Sequence, residues 1–234
     1  TQEWLEHRFQ LFERVCLPSM MVQTDADFRW IVFFSDRTPE PFRARIASIK
    51  ARFPAFLPIY LEDDTNLESR FRREVQLLLR PEDVHVITAR LDNDDGYHRE
   101  MASRIKAEFH GQEDEFINFL HGLQFDMERK IVGSVHKPTN PFIALIVRSR
   151  TVGPATGLGV MHHEAEATGL LRDVETKPLW VQAIHGDNVL NQFQSTHILF
   201  SPRLAEDYGM IDPGPVDLGR SMAALLRGVP PNAN

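Results

Sequence analysis

Cysteine is nearly absent. Cys16 stands alone among 234 residues, which rules out an internal disulfide and any metal site built on several thiolates. A reducing compartment suits that composition, and a cytoplasmic location is expected. Long apolar runs are missing too: no stretch approaches the roughly 20 residues needed to span a bilayer, and nothing at the start resembles a secretory leader. Excess positive charge is also lacking. The formal net charge is −7, whereas a nucleic-acid binder normally carries a basic face. The Arg70-Phe71-Arg72-Arg73 cluster is flanked by acidic residues and reads as a solvated helix face. No 20–50-residue repeat, low-complexity segment or G-x-x-x-x-G-K-S/T phosphate loop occurs. Thr1 opens directly into a helical pattern, with no Met and no strand before it.

What is present is the composition of a soluble globular protein, 42% hydrophobic and 25% charged, on a chain long enough for a substantial core. Residues 2–23 place Trp4, Leu5, Phe9, Phe12, Val15, Cys16 and Met20 at helical spacing. The apolar run 30–36 ends on Asp36 and reads as a buried strand. Thr38-Pro39-Glu40 then starts a helix that stops before Pro54. A strand over 56–61, a helix over 67–79, a strand over 84–91 and a helix over 98–109 follow. Such alternation predicts an α/β fold with a parallel, doubly wound sheet. An N-terminal helix with no strand ahead of it predicts that a first strand lies upstream of Thr1.

The texture changes after Gly111. Residues 115–120 read as a strand, 123–135 as a second strand arm or hairpin, and 142–147 as another apolar strand. Three glycines and one proline between 149 and 160 predict a loop. Leu179 to Ile184 is short and apolar and leads into His185-Gly186-Asp187-Asn188. Four prolines beyond Met210 predict a weakly ordered tail over 201–234.

The chain is organised around residues 84–96, where β-branched residues stop abruptly on Asp92-Asn93-Asp94-Asp95-Gly96. Acidic groups at the C-terminal end of a parallel strand sit where open α/β sheets bind ligands. Three anions so close repel, and a divalent cation with oxygen preference would relieve that; a solvated acidic turn capping the next helix is the alternative. An EF-hand loop is excluded, because counting from Asp92 puts Gly96 fifth and Ser103 twelfth. An Asp-x-Asp turn at a strand end remains.

Here a resemblance becomes specific. The segment Thr88-x-Arg90-Leu91-Asp92-Asn93-Asp94-Asp95 is similar to the metal-binding segment of GT-A-fold glycosyltransferases. With Phe12-Glu13-x-x-Cys16-Leu17-Pro18-Ser19, Gln23, Phe28-x-Trp30, Asn140-Pro141-Phe142 and Trp180-Val181-Gln182-x-Ile184-His185-Gly186-x-Asn188, the chain resembles the bacterial putative rhamnosyltransferase family from residue 4 to about 195. The resemblance implies a GT-A-like, Rossmann-related mixed sheet flanked by helices, whose first nucleotide-binding strand is missing here. It implies one domain over 1–234, with a nucleotide-binding half to about 110 and an acceptor half from about 111 to 200.

The implied activity is transfer of a sugar, with rhamnosyl as the family's name, from a nucleoside diphosphate donor to a glycan or lipid-linked hydroxyl in polysaccharide biosynthesis. Mn2+ or Mg2+ would be the cofactor, since a hard cation stabilises a diphosphate leaving group. Asp94 would ligate it, Asp95 would complete or buttress the turn, and His185 would supply a third ligand, with His162 and His163 competing. Asp92, Arg90, Asn188 and Asp36 would contact the donor; Asp36 equally suits a helix N-terminal carboxylate. An inverting reaction needs a carboxylate base, for which Asp187 and then Glu164 are the candidates. A nucleotidyltransferase acting on sugar phosphates and a non-catalytic sugar-nucleotide-binding protein are the competing readings.

Overall fold

The computed structural model describes residues 1–149, 162–165, 170–186, 192–211 and 213–227. The first helical stretch is one continuous rod of three parts: α1 (Gln2–Leu11), a π-helical turn (Phe12–Cys16) and α2 (Leu17–Met21). Thr1 caps its start by accepting the Trp4 N–H. A π turn inserts one residue into the α pattern, so the residues before and after it face different neighbours. Phe9, Phe12, Cys16 and Leu17 pack with Phe42, Ile46, Ile49 and Phe56. Met20 enters the central cluster around Trp180 and Phe142, and Val15 enters a third with Val181 and Tyr208. All three cores therefore meet on this rod.

Next come β1 (Trp30–Ser35), α3 (Glu40–Arg52), β2 (Phe56–Leu61), α4 (Leu67–Leu78) and β3 (His85–Ala89), in the predicted alternation. β1 and β2 pair in parallel. The doubly wound parallel sheet ends there. β3 pairs antiparallel with β8 (Ala144–Arg148) and lies at the edge of a four-stranded sheet ordered β3-β8-β5-β9, which also holds β5 (Glu115–Phe119) and β9 (Leu171–Val174). The strand leading to the acidic turn is thus a half-buried edge strand, not a buried strand of a parallel sheet. The reason is β8, which inserts between β3 and β5 and runs antiparallel to both.

A third sheet, ordered β11-β7-β6-β10-β4, joins β4 (Gly96–Tyr97), β6 (His121–Asp126), β7 (Ile131–His136), β10 (Trp180–Ile184) and β11 (His197–Leu199). β6 and β7 form the expected hairpin; β10 runs parallel to β6 and antiparallel to β4. The helix predicted over 98–109 is the shorter α5 (Met101–Ala107), and α6 (His162–Ala165) is a single turn. The expected loop over 149–160 lies, except for Ser149, outside the described residues.

Within the stretch 201–234, residues 201–211 and 213–227 are described, and several of them pack on the core. α7 (Leu204–Tyr208) buries Leu204 and Tyr208, Met210 follows them into the cluster with Val15, and Ile211 donates its N–H to the Arg14 carbonyl. α8 (Leu218–Arg227) packs on β11 and β7. Mixed α/β architecture with mixed sheets is therefore established, and its pairing places the acidic turn between the N-terminal rod and β10.

Candidate active site

The acidic turn closes when the Asp95 N–H donates to the Asp92 carbonyl at 3.2 Å. It runs directly into β4, whose pairing sets Gly96 opposite Val181 and Tyr97 opposite Trp180. Gly96 lets β4 approach closely there: a Cβ would stand 3.1 Å from Val181 Cγ1 and 3.3 Å from Ser19 Cβ, so these neighbours would have to give way. Ser19 holds this approach from the rod, accepting the Tyr97 N–H at 3.1 Å while donating to the Cys16 carbonyl at 2.7 Å. Gln23 does the same one turn later, donating to the His98 carbonyl at 2.9 Å and accepting the Ala102 N–H at 2.9 Å. The turn is thereby fixed by the rod on one side and β10 on the other.

This arrangement separates two neighbouring aspartates. Asp95 is 2% exposed, and its Oδ1 accepts the Ala183 N–H from β10 at 2.9 Å. Burial first, then the adjacent Asp94 charge, push its carboxyl well above the ordinary carboxylate range. Asp94 points elsewhere. Its Oδ2 lies 3.0 Å from His185 Nε2, just beyond β10, and accepts a hydrogen bond from Arg8 Nη1 at 3.1 Å. Burial opposes charge on Asp94, but the His185 hydrogen bond and the Arg8 charge outweigh it and hold the carboxyl below its ordinary value. Arg8 also donates to the Asn93 side chain. The His7 and His185 rings meet edge to face with centroids 6.1 Å apart.

Around this pair, Arg90 Nη2 stands 3.8 Å from Asp92 Oδ1, and the Arg90 carbonyl accepts the Tyr97 hydroxyl at 2.6 Å. Among the described residues, Arg90 Nε is buried with no hydrogen-bond partner. Beneath the turn, burial and the charges of Asp95, Asp94 and Asp92 push the Cys16 thiol up, so it is inert packing. Lys137 reaches the same region: its Nζ lies 3.4 Å from Gln182 Oε1, and burial lowers its pKa against the opposing pull of Asp95.

Of the residues singled out from the sequence, Asp94 and His185 are brought together across 91 positions, with Arg90, Asp92 and Asp95 on the same turn. The Asp95 oxygen Oδ1 is committed to the backbone, which is a buttressing position. Asp36 is exposed at the end of β1, and among the described residues no hydrogen bond or ion pair joins it to the turn. Glu164 is exposed on α6. His162 and His163 belong to the same helical turn. Asp187 and Asn188 lie outside the described residues. Sequence reasoning missed Arg8. Its one signal was position, immediately before the apolar Phe9 in a helix read only as core.

A solved structure described as a putative glucose-1-phosphate thymidylyltransferase from Bacillus anthracis in complex with sucrose matches at 12% identity, covering 64% of this chain and 68% of that one. The TM-score is 0.36. No curated protein matches. The model of the family described as "Putative rhamnosyl transferase" matches residues 1–196. That span holds the rod, the acidic turn and His185 alike, and the chain belongs to the putative rhamnosyl transferase family.

Proposed function

We propose that this protein transfers a sugar, in the family's sense a rhamnosyl group, from a nucleoside diphosphate donor to a glycan or lipid-linked hydroxyl, and that the chemistry centres on the Asp94–His185 pair. The observation that carries the reading is the 3.0 Å approach of His185 Nε2 to Asp94 Oδ2, with Arg8 on the same oxygen. Two elements far apart in the chain converge on one carboxylate that is kept ionised although largely buried. Such perturbed groups concentrate where charge must be handled.

The donor set fits a divalent cation. A carboxylate oxygen beside an imidazole nitrogen suits Mn2+ better than Mg2+, which prefers oxygen alone. Asp94 and His185 would hold it, and the chemistry it supplies is charge neutralisation on the departing diphosphate. The chain's own residues supply the rest. Arg8 and Arg90 set fixed positive charge at the turn, and the unpartnered Arg90 Nε offers a donor to an anionic oxygen. Asp92, the most exposed carboxylate of the turn, is placed for the donor's ribose, with Asp36 and Asn188 as further donor contacts. Asp95 holds the turn to β10. For an inverting reaction, Asp187 takes the proton of the acceptor hydroxyl, with Glu164 the alternative.

The test is a panel of nucleoside diphosphate sugars, assayed for nucleoside diphosphate release with and without Mn2+. Expected is release from at least one donor that Asp94→Asn and His185→Asn each reduce by about 100-fold or more. Pyrophosphate release from a nucleoside triphosphate and a sugar phosphate, or no turnover of any donor, overturns the reading.

A further inference from the structure

Three strand ends meet beside the junction of the four-stranded and five-stranded sheets. His121 opens β6 and His136 closes β7; the two face each other directly in the hairpin register, ring centroids 4.9 Å apart. Glu175 follows β9 immediately. Backbone hydrogen bonds fix the junction: Leu120 N–H to the Val174 carbonyl at 3.2 Å, Lys137 N–H to Leu120 at 2.8 Å, and Leu179 N–H to His121 at 3.1 Å. The Glu175 carboxylate spans both imidazoles, with Oε2 2.6 Å from His121 Nε2 and Oε1 3.5 Å from His136 Nε2. Among the described residues it has no Lys or Arg ion-pair partner; nearby Lys177 is engaged with Glu100 at 2.8 Å.

We propose that His121, His136 and Glu175 form a zinc site that staples the four-stranded sheet to the five-stranded sheet. The ligand atoms of the three lie within 4.8 Å of one another. Zinc bonds of about 2.0–2.2 Å in tetrahedral geometry separate ligand atoms by roughly 3.4 Å, so side-chain rotations of about an ångström close the set. Two imidazoles and one carboxylate are a borderline-soft donor set that favours zinc over Mg2+ or Ca2+. The half-exposed position leaves the fourth place to water. The pair Asp94–His185 is not involved: His121 is level with Leu179, six residues before His185, and six strand residues span roughly 20 Å.

The cross-brace is specific in what it joins. Glu175 directly follows β9, and the histidines belong to β6 and β7, so one ion would tie the β9 edge of the four-stranded sheet to a five-stranded sheet already joined to it covalently where β5 runs through Leu120 into β6.

Tag-free protein titrated with Zn2+ against a chromophoric chelator at pH 7.5 tests this. Expected is one tight site, a rise in Tm at one equivalent, and a tetrahedral absorption signature when Co2+ replaces Zn2+. His121→Asn, His136→Asn and Glu175→Gln, all at exposed or half-exposed positions, should each weaken binding at least about tenfold. Asp94→Asn should leave it unchanged. Absence of a tight site in the parent protein, equal affinity in the His121→Asn/His136→Asn variant, or loss of the site in Asp94→Asn overturns the proposal.

Discussion

Arg8→Ala removes the guanidinium that lies 3.1 Å from Asp94 and spans to Asn93. The Asp94 carboxyl then loses the Arg8 charge and hydrogen bond that help hold it below its ordinary value, while its burial stays. Expected is a 10- to 100-fold fall in kcat/KM, about 1.4–2.7 kcal/mol, in a protein that still folds, read by steady-state kinetics alongside a melting curve. A second residue gives a pH-dependent readout away from the turn. Burial lowers the pKa of His98, whose Nδ1 accepts the Glu100 N–H and whose ring packs on Tyr208. Because the folded state holds this imidazole neutral, the unfolded chain takes up the proton first as pH falls. Its stability contribution is complete above about 6.5 and is lost as pH drops from there toward the depressed folded-state value. In His98→Asn the pH dependence of Tm between about 5 and 6.5 should be flatter than in the parent protein.

Among the elements, β10 carries the most consequence, because it positions both the buttress to Asp95 and His185. Its first residue, Trp180, is fully buried, stacks on Phe142 at 4.6 Å and donates Nε1–H to the Phe119 carbonyl at 2.8 Å. The indole lies over Gly122 so closely that a Cβ there would stand 2.2 Å from its ring atoms. Gly122→Ala should therefore cost about 1–3 kcal/mol or more, measured by denaturant unfolding, and should lower activity although the residue is remote from the turn. Elements with their own period or punctuation were legible: α3, α4, β1, β2 and the β6–β7 hairpin follow from apolar spacing, prolines and turn residues. β4 and β9 were not. Two residues at Gly96–Tyr97 and the mixed Leu171-Arg172-Asp173-Val174 carry no periodic signal, and their pairing is decided by distant strands.

For the molecule as a whole, the family match ends at residue 196 but the core does not. Leu204, Tyr208 and Met210 share a cluster with Val15, Leu123 and Val181. Burying three such side chains contributes roughly 5–9 kcal/mol, comparable to the net stability of a typical domain, about 5–15 kcal/mol. A chain ending at residue 196 should lose cooperative thermal melting, followed by circular dichroism. Loop composition alone says nothing about whether a loop is tied to a core. The acidic turn was legible because three carboxylates after a β-branched run are a local pattern. Its cationic partner was not, because Arg8 reaches Asp94 only through the tertiary path of the rod.

That path runs through the π-helical turn at Phe12–Cys16. Each residue of an α-helix advances the chain by about 100° around the axis, so the extra residue sets the azimuth of Arg8 relative to Ser19 and Gln23, which grip the strand and helix after the acidic turn. Deleting one residue within 12–16 would regularise the rod while swinging Arg8 about a quarter-turn off Asp94. Helical phase is thus an inherited setting of the site's charge balance. A length change of one residue would retune it with every residue of the turn intact.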